Sequence, residues 1–114
     1  MRKFTLRKRD VINSKKRIRE ILDDGMRFHG ELVSLYFLPS ETMAFAVLIN
    51  RKVGKPYRRN RVKRWIREIY RDTISELPES VDILILAQKP YDSLSFETLK
   101  SDINRLLERV KNKI

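Results

Sequence analysis

The feature that most restricts the fold is one amphipathic stretch in the middle of the chain. Val62, Trp65, Ile66, Ile69, Tyr70, Thr73 and Leu77 recur at steps of three and four residues, a period that fits one face of a helix and no strand. Pro56, with its fixed φ and missing N–H, suits the first helical position, and Gly54 supplies a flexible approach to it. Pro78 ends the helix. Apolar runs flank it on both sides: Met43 to Asn50 (MAFAVLIN) reads as a strand, and Val81 to Ala87 (VDILILA), closed by Pro90, reads as a buried strand.

The rest of the chain fits around this unit. Asn13 or Ser14 caps a first helix whose apolar positions Ile18, Ile21 and Leu22 share a face, and Gly25 stops it. Met26 to His29 is a short extended piece. Leu32 to Leu38 (LVSLYFL) is a strand expected to form an antiparallel hairpin with Met43 to Asn50, turning around Pro39 and Ser40. A last helix begins after Ser95, with Glu97 in its first turn, and buries Phe96, Leu99, Ile103, Leu106, Leu107 and Val110. The order α-β-β-β-α-β-α describes an α+β protein, a two-layer α/β sandwich with helices covering one sheet face. A right-handed connection around the central helix is the default. With 114 residues the chain makes one domain, long enough to bury about two thirds of its unfolded surface.

Charge says what this domain meets. Between Arg51 and Arg71 there are ten Lys or Arg residues against one acid, Glu68, so this window carries most of the formal +11. On a helical wheel Asn60, Arg64, Arg67 and Arg71 fall within about 60° of one another, opposite the apolar face, with Arg61 and Lys63 flanking them. A solvated surface helix intersperses acids at four-residue offsets; here Arg67 and Arg71, one turn apart, leave their repulsion uncompensated. Lys15, Lys16 and Arg17 open the first helix, where cations oppose the macrodipole. A localised cationic stripe points to a polyanion, and nucleic acid leads because counterion release adds to affinity. A membrane surface is the weaker competitor. Arginine forks suit phosphates and unpaired bases, which favours RNA over DNA. A DNA-binding regulator would need a helix packed before the recognition helix, whereas here a strand precedes it.

Catalytic groups are sparse. His29 is the one histidine, beside a strand, and carries no assigned chemistry. Asp23 and Asp24 are an adjacent acid pair at a helix end, too few ligands for a metal and read as a solvated turn. Gly54-Lys55 lacks the spacing and the following Ser or Thr of a phosphate loop. The chain has no cysteine, which excludes disulfides and thiolate zinc sites and fits a reducing cytoplasm. No apolar run approaches a membrane span, and none follows the basic arm Met1 to Arg9, so the arm is expected to belong to the mature protein. A self-sufficient nuclease is the least favoured reading; a ribosomal or other structural RNA-binding protein shares the basic helix and stays open.

The segment Val53-Gly-Lys-Pro-Tyr-Arg-Arg-Asn-Arg-Val-Lys-Arg-Trp-Ile-Arg67 resembles the Arg-Asn-Arg signature of the bacterial ribonuclease P protein subunit. Arg59-Asn60-Arg61, Val62, Lys63-Arg64 and Arg67 fall at that family's spacing, and the likeness runs from the basic arm to the final helix. Pro56 stands where the family pattern usually has Ala, and Ile18 and Leu22 stand where its first helix usually shows Phe. The resemblance implies a left-handed crossover at the signature helix in place of the default. It implies a protein that assists an RNA-based endoribonuclease in removing 5′ leaders from precursor tRNA, without catalytic or metal-ligating side chains of its own. The Mg²⁺ ions would be held mainly by the catalytic RNA. Implied contacts with that RNA are Arg59, Asn60, Arg61, Lys63, Arg64 and Arg67, with Arg71 added on stripe geometry. A groove between the first helix and the sheet would take the single-stranded leader at Ile18, Leu22, Tyr36, Arg51, Lys52, Lys55 and Lys89, with Tyr36 able to stack on a base. The expected partners are thus the catalytic RNA and precursor tRNA, with no DNA or membrane, in the cytoplasm.

Overall fold

The structure, a computed structural model, describes residues 14–41, 44–73 and 81–113. The arm Met1 to Arg9, the alternative cap Asn13, Met43, Leu77 and Pro78 lie outside the described residues. The elements follow the expected order: α1 (Lys15–Asp24), β1 (Met26–His29), β2 (Val33–Pro39), β3 (Phe45–Ile49), α2 (Pro56–Thr73), β4 (Val81–Ala87) and α3 (Phe96–Lys113). Ser14 is the cap of α1, its hydroxyl accepting from the Arg17 amide at 3.3 Å. Ser95 caps α3 by accepting from the Thr98 amide at 3.2 Å. A short 3-10 turn, Arg51–Val53, precedes Gly54, whose φ of 133° is open to glycine and hardly to any other residue. That turn delivers the chain to Pro56, the first residue of α2.

The four strands are ordered β1-β2-β4-β3. The expected hairpin between β2 and β3 is therefore not formed. β2 pairs instead with β1, antiparallel, and with β4, antiparallel, while β3 pairs with β4 in parallel through the α2 crossover. The reason lies in β4 itself, which is buried at six of its seven positions. A strand apolar on both faces gains most from a central place, and β4 takes it by separating β2 from β3.

Alternation then sorts the sheet into two faces. Val33, Leu35, Phe37, Phe45, Val47, Val81, Ile83, Ile85 and Ala87 join Val62, Ile66, Ile69 and Tyr70 of α2 and Leu99, Ile103, Leu106, Leu107 and Val110 of α3 in the main core. Tyr70, fully buried, stacks on Phe45 with ring centroids 3.8 Å apart. Trp65, assigned to the core face by its period, is half-buried at the rim and stacks on Tyr91 at 6.1 Å. The sheet and the α2/α3 layer make the expected sandwich. α1, however, crosses the other face, where Ile21 packs on Tyr36, Leu84 and Ala46 with Ile18 and Leu22 beside it. Helical periodicity shows that α1 has an apolar side, but not which face of the sheet that side meets.

Two buried carboxylates hold these pieces in place. Asp82 of β4 takes the Arg17 guanidinium of α1 at 2.8 Å and the Ala44 amide at 2.9 Å. That pairing, more than the second contact to Glu20, raises the affinity of Arg17 for its proton. Asp102 of α3 accepts the amides of Glu31, Leu32 and Val33 at 3.1, 2.9 and 3.2 Å, tying the β1–β2 connection to the helical layer.

Candidate nucleic-acid interface

α2 presents its cations on three surfaces. Arg59, Asn60 and Lys63 lie toward β3, where with Pro56, Val47, Leu48 and Ile49 they line a cavity of about 260 Å³. Arg59 is half-buried there, and its Nε is buried without a hydrogen-bond partner. On the other flank Arg61 donates to the Tyr91 hydroxyl at 3.2 Å. Arg58 lies over the Tyr91 ring at 5.0 Å and the Tyr57 ring at 5.8 Å; its hydrogen bond to the Tyr57 hydroxyl is the main cause of its raised proton affinity. Arg64, Arg67 and Arg71 project into solvent between the flanks. Among the described residues no carboxylate comes within 4.0 Å of any α2 cation. The repulsion along the stripe is therefore not offset by acids among the described residues.

The second charged surface lies on the α1 side of the sheet. Two cross-strand rows run over it, Arg27–Tyr36–Leu84–Ala46 and His29–Ser34–Leu86–Leu48. α1 sits over the first row, bringing together Ile18, Leu22 and Tyr36 in one apolar cluster. The second row leads into a cavity of about 260 Å³ lined by Arg27, His29, Ser34, Lys52, Gln88 and Lys89, with Gly30 to Val33 forming its wall. Lys52 and Lys89, far apart in sequence, thus share one site. Arg51 and Lys55 are exposed on either side of the Val53-Gly54 turn and line neither cavity.

Tyr36 departs from its expected role. It is only 8% exposed, with the Arg27 guanidinium 5.3 Å from its ring centre, so the ring is not open to a base as the sequence reading supposed. Arg27, Ser34 and Gln88 were missed by sequence reasoning. Arg27 is one basic residue in a short strand, and its value comes from the β1–β2 register that sets it opposite Tyr36. Tyr57 and Tyr91 were missed too, although Tyr57, 60% exposed beside the signature, carries a legible signal: an aromatic interleaved with arginines.

Asp23 and Asp24 are exposed at the end of α1, and Asp23 lies 3.9 Å from Arg19. Among the described residues no three His, Cys, Asp or Glu side chains group as metal ligands. No helix among them is long and apolar enough to cross a membrane.

The fold and the two cationic surfaces define a class: a small α+β protein with a basic helix beside a four-stranded sheet and a cation-lined groove on that sheet. The family model of ribonuclease P matches residues 6–111, and the chain belongs to that family as a protein subunit. It is 30% identical over 93 residues to the ribonuclease P protein component of Fusobacterium nucleatum, covering 76% of this chain and 84% of that protein. With the component from Desulfovibrio desulfuricans the identity is 31% over 116 residues, covering 96% and 89%. The solved RNase P protein of Thermotoga maritima superposes with a TM-score of 0.72 at 25% identity, covering 96% of this chain and 97% of that one. The Staphylococcus aureus protein gives 0.81 at 19% identity over 90% and 95%, a likeness of fold. Family membership implies a tRNA-processing endoribonuclease holoenzyme in which the chain partners the ribonuclease P RNA.

Proposed function

We propose that this chain is a single RNA-binding domain that docks on the catalytic RNA through Arg59, Asn60, Arg61, Lys63, Arg64, Arg67 and Arg71, and holds the 5′ leader of precursor tRNA in the groove beside α1. The observation that carries this reading is the α2 stripe, whose cations have no acidic partner among the described residues. Ile18, Leu22, Lys52 and Lys89 are the leader contacts best supported by geometry, since they border the groove and its cavity. Tyr36 contributes beneath Arg27 rather than as an open stacking face. Arg51 and Lys55 add charge at its approach.

The protein's part is positioning and neutralisation. Ribozyme and substrate are both polyanions, and a domain of net +11 between them lowers their repulsion and fixes the leader relative to the scissile bond. Among the described residues no three acidic or histidine side chains group as metal ligands, and the reading leaves Mg²⁺, which would activate water and stabilise the leaving oxygen, with the RNA. Such an assembly acts on transcripts, which supports the cytoplasm as its compartment.

Reconstitution tests the proposal. The protein mixed with its cognate RNA at low magnesium should produce correct 5′ maturation that neither component achieves alone. Equal maturation by the RNA-free protein would refute it, and binding without any effect on cleavage would favour a structural RNA-binding role instead.

A further inference from the structure

Arg27 and Tyr36 face each other in the β1–β2 ladder, and the guanidinium carbon lies 5.3 Å from the Tyr36 ring centre. The ring is 8% exposed, whereas Arg27 is exposed and, among the described residues, has no carboxylate within 4.0 Å. A planar cation backed on one side by an aromatic ring keeps its other side for a second flat group. The same side chain lines the cavity that also contains Ser34, His29 and Gln88, with Lys52 and Lys89. Ser34 Oγ and His29 Nδ1 are 3.3 Å apart, a hydroxyl and imidazole paired at the wall of the cavity. Glu31 is the one carboxylate in that lining, against three cations.

We propose that Arg27 is the stacking platform for one unpaired base of the leader, with Tyr36 as the backing that holds the guanidinium flat. This rests on the leader-groove reading above. The chemistry divides cleanly among the lining groups. The guanidinium plane meets the base face, the Ser34 hydroxyl, His29 imidazole and Gln88 carboxamide offer donors and acceptors to the base edge, and Lys52 and Lys89 take the flanking phosphates. Tyr36 is here a positioning residue; Arg27 makes the contact.

A double-mutant cycle on the reconstituted holoenzyme tests this. An abasic nucleotide is walked through the leader of precursor tRNA, and binding is compared for the parent, Arg27→Ala and Arg27→Lys, with mature tRNA as the leaderless reference. In the parent, one leader position should cost roughly tenfold in affinity when its base is removed, the scale of a single base stack. In both Arg27 variants that cost should disappear, although Lys keeps the charge. Thermal melts of the exposed, conservative Arg27→Lys protein verify folding. The same abasic cost in Arg27→Lys as in the parent would overturn the platform, as would the lack of any sensitive position in the parent. If Arg27 variants bind like the parent while Lys52→Ala/Lys89→Ala loses affinity, the groove reading survives and the platform does not. If the parent binds precursor and mature tRNA equally, both fall.

Discussion

Removing the Asp102 carboxylate should cost far more stability than a lone aspartate at the border of the apolar face of α3 suggests in the sequence. Asp102 is 2% exposed and accepts three backbone amides, those of Glu31, Leu32 and Val33. A hydrogen bond to a charged acceptor contributes about 1.5–3 kcal/mol, and a buried donor left alone bears its full desolvation cost. The Val33 bond is buried, while the other two are part-buried and can regain water. Counting one full and two partial losses, Asp102→Ala should destabilise by about 3–4 kcal/mol, a fall in Tm of roughly 12–16 °C for a domain of this size. Asp102→Asn keeps one acceptor oxygen but turns an amino group toward an N–H, so about half that loss is expected. Urea titration with a shared m-value measures both. A loss under 1 kcal/mol for Asp102→Ala would refute the claim that this carboxylate anchors the β1–β2 connection. Gly30 gives an independent check, because a Cβ there would collide with the Asp102 carboxylate oxygens. Gly30→Ala should therefore destabilise the parent, and destabilise Asp102→Ala less.

Ile66→Ala, at 0% exposure, should lose about 2–5 kcal/mol, whereas half-buried Trp65→Ala should lose less than Ile66 relative to its larger volume, roughly 1.5–3 kcal/mol in a thermal or urea melt. Arg64→Ala should weaken binding to the RNA subunit in a filter or mobility assay while changing stability by no more than about 0.5 kcal/mol, because the side chain is exposed and has no ion pair among the described residues. Asp82→Ala leaves the Ala44 amide without its partner and Arg17 with Glu20 alone, so a loss of about 2–3 kcal/mol is expected, with α1 loosened from the sheet in hydrogen exchange. The raised proton affinity of Arg17 makes its share of that pair constant as pH rises, until pH passes the ordinary guanidinium range; a melt series that weakened between neutral pH and pH 9 through this pair would contradict the assignment. If about six phosphates of a single-stranded leader are neutralised, log affinity should fall against log salt with a slope near −4, and a slope near zero would contradict the electrostatic reading.

The order of elements, the amphipathic faces of α2 and α3, and the cationic stripe were all written in local patterns: a period of 3.6, a proline at a helix start, a run of arginines without acids. Such signals depend on residues within one or two turns of each other, so they survive without knowledge of the fold. Pairing does not. That β4 inserts between β2 and β3, that α1 crosses the opposite face, and that Asp102 and Asp82 become buried anchors are consequences of elements meeting across the whole chain. The groove shows the division most clearly. Lys52, Lys89 and Arg27 are ordinary cations in the sequence, and only the sheet register and the α2 crossover bring them to one cavity and set Arg27 over Tyr36. A short-range code specifies what each segment is; the burial of a strand apolar on both faces decides what each segment touches.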